Sequence, residues 1–148
     1  MAGVKFDKDK LPLHLIPPEA LYALACILKV GAAKYHDRNW EEGLSWSRCY
    51  RAALNHLWLW FIGAPADKDS GQSHLWHVLA EIVFLVVFEL RETGTDDRPP
   101  VDLPDWFWEL VGEADPSTSN KAIIERTYAA HKKTPSGPTV SLGPPPVG

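Results

Sequence analysis

The chain has 148 residues, enough for one domain with its own hydrophobic core but short for two. Its formal charge of −4 argues against a basic nucleic-acid surface, and an apolar fraction of 45% is ordinary for a globular protein. Cys26 and Cys49 lack metal-binding spacing and no signal peptide precedes them, so we expect reduced thiols and a cytoplasmic protein.

The N-terminal part predicts an arm followed by a helix. Residues 1–16 are polar and contain three lysines, as in an extended arm. The Pro17–Glu19 segment is a helix start, because proline is pre-organised for the first turn and an early acid complements the helix dipole. From Ala20 to Lys34 the apolar residues recur at helical spacing, which predicts the first helix.

A second helix is predicted after a polar loop. Residues 36–43 interrupt the apolar pattern. Ser45 or Ser47 can then cap a helix that runs to about Phe61, because a serine hydroxyl accepts a hydrogen bond from a free N–H group of the first turn.

The third predicted helix follows the acidic loop 63–71 and ends near Gly94, with three candidate N-caps: Asp69, Ser70 and Ser73. Its apolar run, Leu75–Leu90, falls short of the roughly 20 residues that cross a bilayer and contains acidic residues, so no membrane span is predicted. The helix is apolar on nearly every side. Four or five helices offer few residues to bury it, which favours a homo-oligomer, a dimer or tetramer, with sites near the interface.

The C-terminal part contains weaker signals. Residues 105–112 and 120–131 are helical candidates after a proline-containing linker. Residues 132–148 lack the apolar content to order themselves and predict a disordered tail, which leaves 1–131 as the folded domain. No strand-period alternation of useful length occurs, so the predicted fold is an all-α bundle of four to five helices.

A stripe of histidines and a glutamate marks the third helix. His74, His77 and Glu81 stand at i, i+3 and i+7, within an arc of roughly 60° on one face. A buried, unpaired carboxylate is unfavourable by several kcal/mol, and two imidazoles beside it suit a divalent metal. The alternative is a buried His–Glu hydrogen bond in the core of a helix bundle.

The second helix has a stripe of its own. Arg48, Arg51 and Asn55 share one face and could hold phosphate oxygens, although the same pattern fits a solvated surface. His56 lies among apolar residues, so we expect it to point inward or into an interface, where it could meet the third helix. A core histidine with satisfied hydrogen bonds is the alternative.

Two loops add polar groups. Asp67 and Asp69 precede the histidines of the third helix closely enough to reach a metal there, although loop aspartates also serve as caps and turn residues. The loop after the first helix suits a nucleotide. Its aromatic rings could stack on the base, its cation could bind phosphate, and its acids could bind metal or a base edge. The alternative is a solvated surface loop. Its candidate residues are Lys34, Tyr35, Asn39, Trp40, Glu41 and Glu42.

Three segments carry a family resemblance: GAAKYHDRNWEEG (31–43), RAALNHL (51–57) and DKDSGQSHLWH (67–77). In this order they resemble the phage dATP/dGTP diphosphohydrolases, a branch of the MazG-like all-α NTP pyrophosphatases. Several members serve phages that replace adenine with 2-aminoadenine. The resemblance covers about residues 5–90. It implies hydrolysis of a purine deoxynucleoside triphosphate to the monophosphate and pyrophosphate, with Mg²⁺ or Mn²⁺.

The resemblance leaves the site residues partly open. The superfamily uses ExxE and ExxD motifs, whereas this chain offers Asn55 and His56 on one helix and His77 and Glu81 on the next. The acids and histidines named above are therefore the candidate metal ligands and bases, with Lys34 and Arg51 as phosphate contacts.

Two other functions remain open. The His36–Asp37 dipeptide could belong to an HD-type phosphohydrolase, although no further motif completes that set. The chain could also be a non-catalytic, oligomeric binding module in which the His–Glu stripe is structural.

Overall fold

The structure is a computed structural model that describes residues 10–100, 102–112, 125, 126 and 129. The chain divides into two units, one of Met1–Pro12 with Ala114–Gly148 and the other of Leu13–Glu113. The first unit lies almost entirely outside the described residues. Most of the predicted arm, the predicted tail and nearly all of the candidate helix 120–131 therefore lie outside them as well. The unit Leu13–Glu113 carries the fold described below.

Four α-helices and two short 3-10 helices make up the described part of the chain, which contains no β-strand. In order they are 3-10 helix Leu13–Leu15, α1 Pro18–Lys34, 3-10 helix Asn39–Glu42, α2 Trp46–Phe61, α3 His74–Arg91 and α4 Asp105–Val111. The predicted all-α fold is confirmed. The loop predicted at 36–43 contains the second 3-10 helix, which Arg38 enters through a left-handed conformation with a φ of 62°.

Helix α1 begins where the proline pattern predicts. Pro18 occupies the first turn, Glu19 lies at the positive end of the helix dipole, and Pro17 stands outside in an extended conformation. The helix buries Ala23 and Ile27. It packs against α3, where the rings of Tyr22 and Trp76 meet edge to face with 6.1 Å between centroids.

Helices α2 and α3 form an antiparallel pair. The start of α2 meets the end of α3, where the Trp46 indole donates to the carbonyl of Thr93, and the middle of α2 meets the start of α3, where His56 contacts His74. Small side chains lie in the contact. Ala53 is 6% exposed and Ala80 is 1% exposed, so the two backbones approach closely. Phe88 is completely buried and closes the core towards the end of α3.

Main-chain and side-chain hydrogen bonds tie residues 43–47 to residues 93–97, a contact that we call the helix-end clasp. The N–H of Trp46 donates to the carbonyl of Thr95 over 2.9 Å, and the N–H of Thr95 donates to the carbonyl of Leu44 over 3.0 Å. Gly94 has a φ of +76°, and a Cβ there would lie 2.5 Å from the Leu44 carbonyl oxygen. Only glycine fits this crossing without strain.

The helix caps differ in part from those predicted. Ser45 holds the N-cap position of α2 without a side-chain cap, and the Asp97 carboxylate instead accepts from the N–H and hydroxyl of Ser47 at 2.8 Å and 2.5 Å. Ser73 does cap α3, since its hydroxyl accepts from the N–H of Leu75. Helix α3 ends at Arg91, earlier than predicted, because Glu92 turns the chain with a φ of 53°.

Large apolar side chains remain exposed on this unit. On α2 they recur at helical spacing: Tyr50, Leu54, Leu57, Trp58 and Phe61. On α3 the corresponding exposed residues include Ile82, Val86 and Leu90. Among the residues that the structure describes, no helix combines the length and the apolar character that crossing a bilayer requires.

Candidate active site

A cavity of about 1160 Å³ opens between the C-terminal half of α1, the 34–41 loop, one face of α2, the 67–70 loop and the middle of α3. This volume is of the size that proteins use for drug-sized ligands. Its wall carries acidic, basic and aromatic side chains. A ligand with a charged group and an aromatic ring could therefore form ionic contacts and ring contacts with the wall.

Three imidazoles from two helices meet beside the cavity, and we call them the histidine cluster: His56, His74 and His77. The Nδ1 atoms of His56 and His74 lie 2.9 Å apart. The rings of His56 and His77 stack with 4.4 Å between centroids and an interplanar angle of 10°. The expectation that His56 points inward to meet the third helix is confirmed.

Asp67 joins the histidine cluster from the preceding loop. Its Oδ2 accepts hydrogen bonds from the N–H and the hydroxyl of Ser70, each over 2.9 Å. The Ser70 hydroxyl also lies 2.7 Å from Nε2 of His77, and that nitrogen lies 3.7 Å from Oδ2 of Asp67. His56, Asp67 and His74 together offer three ligand atoms within 4.8 Å of one another, which makes this group a possible His/Asp metal site.

The protonation states of the histidine cluster and Asp67 suit metal binding. Burial lowers the pKa of His56, and the neighbouring imidazoles of His77 and His74 lower it further against the opposing pull of Asp67. Burial likewise lowers the pKa of His77. Burial acts to raise the pKa of Asp67, but the two Ser70 hydrogen bonds and the imidazoles outweigh it, so that pKa lies below its usual value. Neutral imidazoles beside an ionised carboxylate are the protonation states that bind metal.

Glu81 lines the cavity further along α3 and bonds to Cys49 of α2 rather than to a histidine. Burial raises its pKa, opposed by the hydrogen bond with Cys49 and by the charge of Arg48. Burial also raises the pKa of Cys49 to about 12, with the Glu81 carboxylate adding to the shift. The Cys49 thiol therefore keeps its hydrogen and donates it to Glu81. The structure does not bring Glu81 into the group of His56, Asp67 and His74.

The loop after α1 is anchored by its tryptophan. Trp40 stacks on Phe84 of α3 with 4.5 Å between centroids and an interplanar angle of 17°, and it also contacts Phe88 at 6.1 Å. Next to it, Glu41 bridges two guanidiniums, with Arg38 at 3.2 Å and Arg91 at 2.6 Å. Trp40 and Glu41 thus hold the loop against α3.

Other loop residues predicted for the site face the solvent to different extents. Tyr35 is 60% exposed, and the Lys34 ammonium lies 5.4 Å from its ring centroid. The Nε2 atom of His36 contacts the carboxylate of Glu42 at 3.1 Å and the amide nitrogen of Asn39 at 3.3 Å. The exposed ring of Tyr35 is therefore open to a ligand, whereas the His36 ring and the Asn39 amide nitrogen contact each other.

Ten of the fourteen predicted site residues line the cavity: Lys34, Tyr35, Asn39, Trp40, Glu41, His56, Asp67, Asp69, His77 and Glu81. The four that do not are Glu42, Arg51, Asn55 and His74. Of these, His74 belongs to the histidine cluster through its contact with His56, and Arg51 and Asn55 lie exposed on α2.

Three lining residues that bear on chemistry were not predicted for the site: Lys29 and Arg38 supply positive charge in the wall, and Ser70 holds Asp67. For Ser70, the Asp-Ser-Gly run at 69–71 is a turn signal that could have indicated a hydrogen-bonding role in the loop. Arg48, which was predicted to hold phosphate together with Arg51 and Asn55, lines the wall, whereas Arg51 and Asn55 do not.

Comparison with known proteins gives one family. Residues 1–98 match the protein family described as "dATP/dGTP diphosphohydrolase, N-terminal". A curated protein of Salmonella phage PMBT28, named "dATP/dGTP diphosphohydrolase", is 32% identical over 98 residues, which are 66% of this chain and 33% of that protein. The chain thus spans about a third of the length of the curated relative it matches. No solved structure matches. With two thirds of its length matched, including the loop after α1, α2, the 67–70 loop and α3, the chain belongs to the dATP/dGTP diphosphohydrolase N-terminal family.

Proposed function

We propose that this protein hydrolyses purine deoxynucleoside triphosphates, dATP or dGTP, to the monophosphate and pyrophosphate. The observation that carries the proposal is the cavity, which combines positive side chains with the Asp67–histidine group in a member of this family. The name of the phage relative supports the substrate class.

The reaction requires water to attack the α-phosphorus. A bond forms between the water oxygen and phosphorus, the bond from phosphorus to the bridging α–β oxygen breaks, and pyrophosphate leaves with the electron pair. The water proton passes to a base of the wall. Glu81 is suited to accept it, because its raised pKa gives it a greater proton affinity than an exposed glutamate.

Positive side chains in the wall of the cavity suit the triphosphate. Lys34, Arg38 and Arg48 line the wall, and guanidiniums bind phosphate oxygens bidentately. Arg51, predicted for this role, does not line the cavity, so Arg48 is the better phosphate contact on α2.

The base would bind at the mouth of the cavity. Tyr35 presents an exposed ring for stacking, and Asn39 presents an amide that can pair with a base edge. Trp40 already stacks on Phe84, so we assign it to holding the loop rather than to the base.

The family resemblance implies a divalent cation, Mg²⁺ or Mn²⁺, and the cavity offers donors for a divalent cation. Asp67 is ionised and held in place by Ser70, the imidazoles beside it are neutral, and Asp69 lines the same wall. When bound, the cation polarises phosphoryl oxygens and neutralises the leaving pyrophosphate. Of the ligands predicted from the sequence, Asp67 and His74 belong to the possible metal group, whereas Asp69 and His77 line the wall beside it and Glu81 bonds to Cys49.

We further propose that the protein is a homo-oligomer in the cytoplasm of an infected bacterium, where its dGMP would feed synthesis of DNA that contains 2-aminoadenine. The exposed apolar stripe on α2, from Tyr50 to Phe61, supports the oligomer, since a stripe of this width normally packs against another surface. Light scattering at micromolar concentration tests this, and a monodisperse monomer would contradict it.

The experiment that tests the function is product analysis of a panel of four deoxynucleoside triphosphates with Mg²⁺ and with Mn²⁺. We expect pyrophosphate and a monophosphate, released fastest from dGTP or dATP. Tripolyphosphate would identify the HD-type alternative. No release from any substrate, in protein that is folded by circular dichroism, would identify a binding module.

A further inference from the structure

Three separate chain segments deliver potential metal donors to one point. His56 comes from the middle of α2, His74 is the first residue of α3, and Asp67 comes from the loop between them. Their ligand atoms lie within 4.8 Å of one another, in the one group of this kind found among the described residues. Because two helices and the loop between them each contribute one donor, this group differs from acids that are merely neighbours in a surface loop.

The donor spacing already approaches that of a coordinated ion. The Nδ1 atoms of His56 and His74 are 2.9 Å apart, which requires one of them to donate its hydrogen to the other. Two imidazole nitrogens held at about 2.0–2.1 Å from a tetrahedral ion lie about 3.3 Å from each other. An ion that replaces the shared hydrogen would therefore move these atoms apart by only a few tenths of an ångström.

The surroundings hold the donors in place. His74 is 4% exposed, so its ring has little freedom to turn. Asp67 is fixed by two hydrogen bonds from Ser70, whose hydroxyl contacts His77 in turn. Ligands of metal sites are commonly oriented by such an outer layer of hydrogen bonds. His77 and Ser70 are then positioning residues, and His56, Asp67 and His74 are the ligands.

We propose that His56, Asp67 and His74 form a two-histidine, one-carboxylate site that binds a divalent transition-metal ion, such as Zn²⁺ or Co²⁺, in preference to Mg²⁺. Imidazole nitrogen suits these ions, whereas Mg²⁺ prefers an environment of oxygen atoms. The inference deepens the proposed function, because it names the ligands and the class of metal at the same cavity. Glu81 and Asp69 lie outside this ligand set.

The site can be tested without any substrate. Metal-free protein would be titrated with Co²⁺ and followed by its visible absorption, and equilibrium dialysis would compare Zn²⁺ with Mg²⁺. We expect one Co²⁺ or Zn²⁺ per chain, with at least 100-fold weaker binding in His56→Gln and in Asp67→Asn. His14→Gln, an exposed histidine far along the chain, is the control and should bind like the intact protein. His74→Gln could misfold, which is why the other two variants carry the test.

Three results would overturn the proposal: no stoichiometric Co²⁺ or Zn²⁺, binding that survives both ligand variants, or Mg²⁺ affinity equal to that of Zn²⁺. The outcome is separable from that of the hydrolysis assay. Pyrophosphate release with Mg²⁺ and no histidine-dependent metal binding would leave the proposed function standing and remove this site. Histidine-dependent binding without pyrophosphate release would do the reverse.

Discussion

Replacing Trp40 by alanine tests whether this ring anchors the loop or binds the nucleotide base. Removing a fully buried tryptophan is unfavourable by about 3–5 kcal/mol. Trp40 is half-buried, so about half of that applies, and the stacked pair with Phe84 at 4.5 Å adds about 1 kcal/mol. We therefore expect Trp40→Ala to lower the free energy of unfolding by about 3 kcal/mol.

The measurement is urea unfolding followed by circular dichroism, with Trp106→Ala as the control. Trp106 is 63% exposed on α4, and its removal should change the free energy of unfolding by less than about 1 kcal/mol. A loss below about 1 kcal/mol in Trp40→Ala, accompanied by a higher KM for dGTP, would refute the anchoring role and restore Trp40 as a base contact.

Four further outcomes are expected. Glu81→Gln should lower turnover at least about tenfold, because it removes the proposed base, and should leave the Mn²⁺ requirement unchanged, because the proposed metal ligands stay in place. It should melt at an equal or higher temperature near neutral pH, because a part-buried charge is removed; turnover within a few-fold of the intact protein would contradict the base role. Gly94→Ala should reduce stability by about 3 kcal/mol in urea unfolding, and Gly63→Ala, where φ is also positive but the space is open, by only about 1 kcal/mol. In the folded protein the pKa values of His56 and His77 lie below their usual 6.5, so as the pH falls the unfolded chain binds protons before the folded chain does. The free energy of unfolding should therefore be highest above pH 6.5 and decrease as the pH drops below it. Urea unfolding between about pH 7.5 and 5.5 measures this. Deleting residues 132–148 should leave dGTP turnover within a few-fold, and a large loss in folded protein would place the tail in the site.

Local sequence signals predicted the helices well. The prolines at 17 and 18 set the start of α1, and Ser73 caps α3 as one of three predicted candidates. The amphipathic surroundings of His56 also predicted its inward direction. Each of these signals is read from a few neighbouring residues of the chain: the first two from the chemistry of helix ends, and the third from the apolar side chains around His56.

The misses share a different cause. The Asp97 cap on α2, the Cys49 partner of Glu81 and the Phe84 partner of Trp40 all join residues that are more than 30 positions apart. Such pairs depend on how α2 and α3 are aligned along each other, and no local pattern encodes that alignment. The sequence therefore could not indicate that Trp40 packs on the protein's own helix.

The helix-end clasp determines how firmly α2 and α3 are aligned. The connection 62–73 ties the pair at one end, and the hydrogen bonds of Trp46 and Thr95 tie it at the other, so neither helix can slide along its neighbour. A slip of one residue would translate His56 by about 1.5 Å, whereas metal–ligand distances tolerate about 0.2 Å. The helix-end clasp thus helps to fix the spacing of His56 and His74, although it lies about 15 Å along α2 from His56.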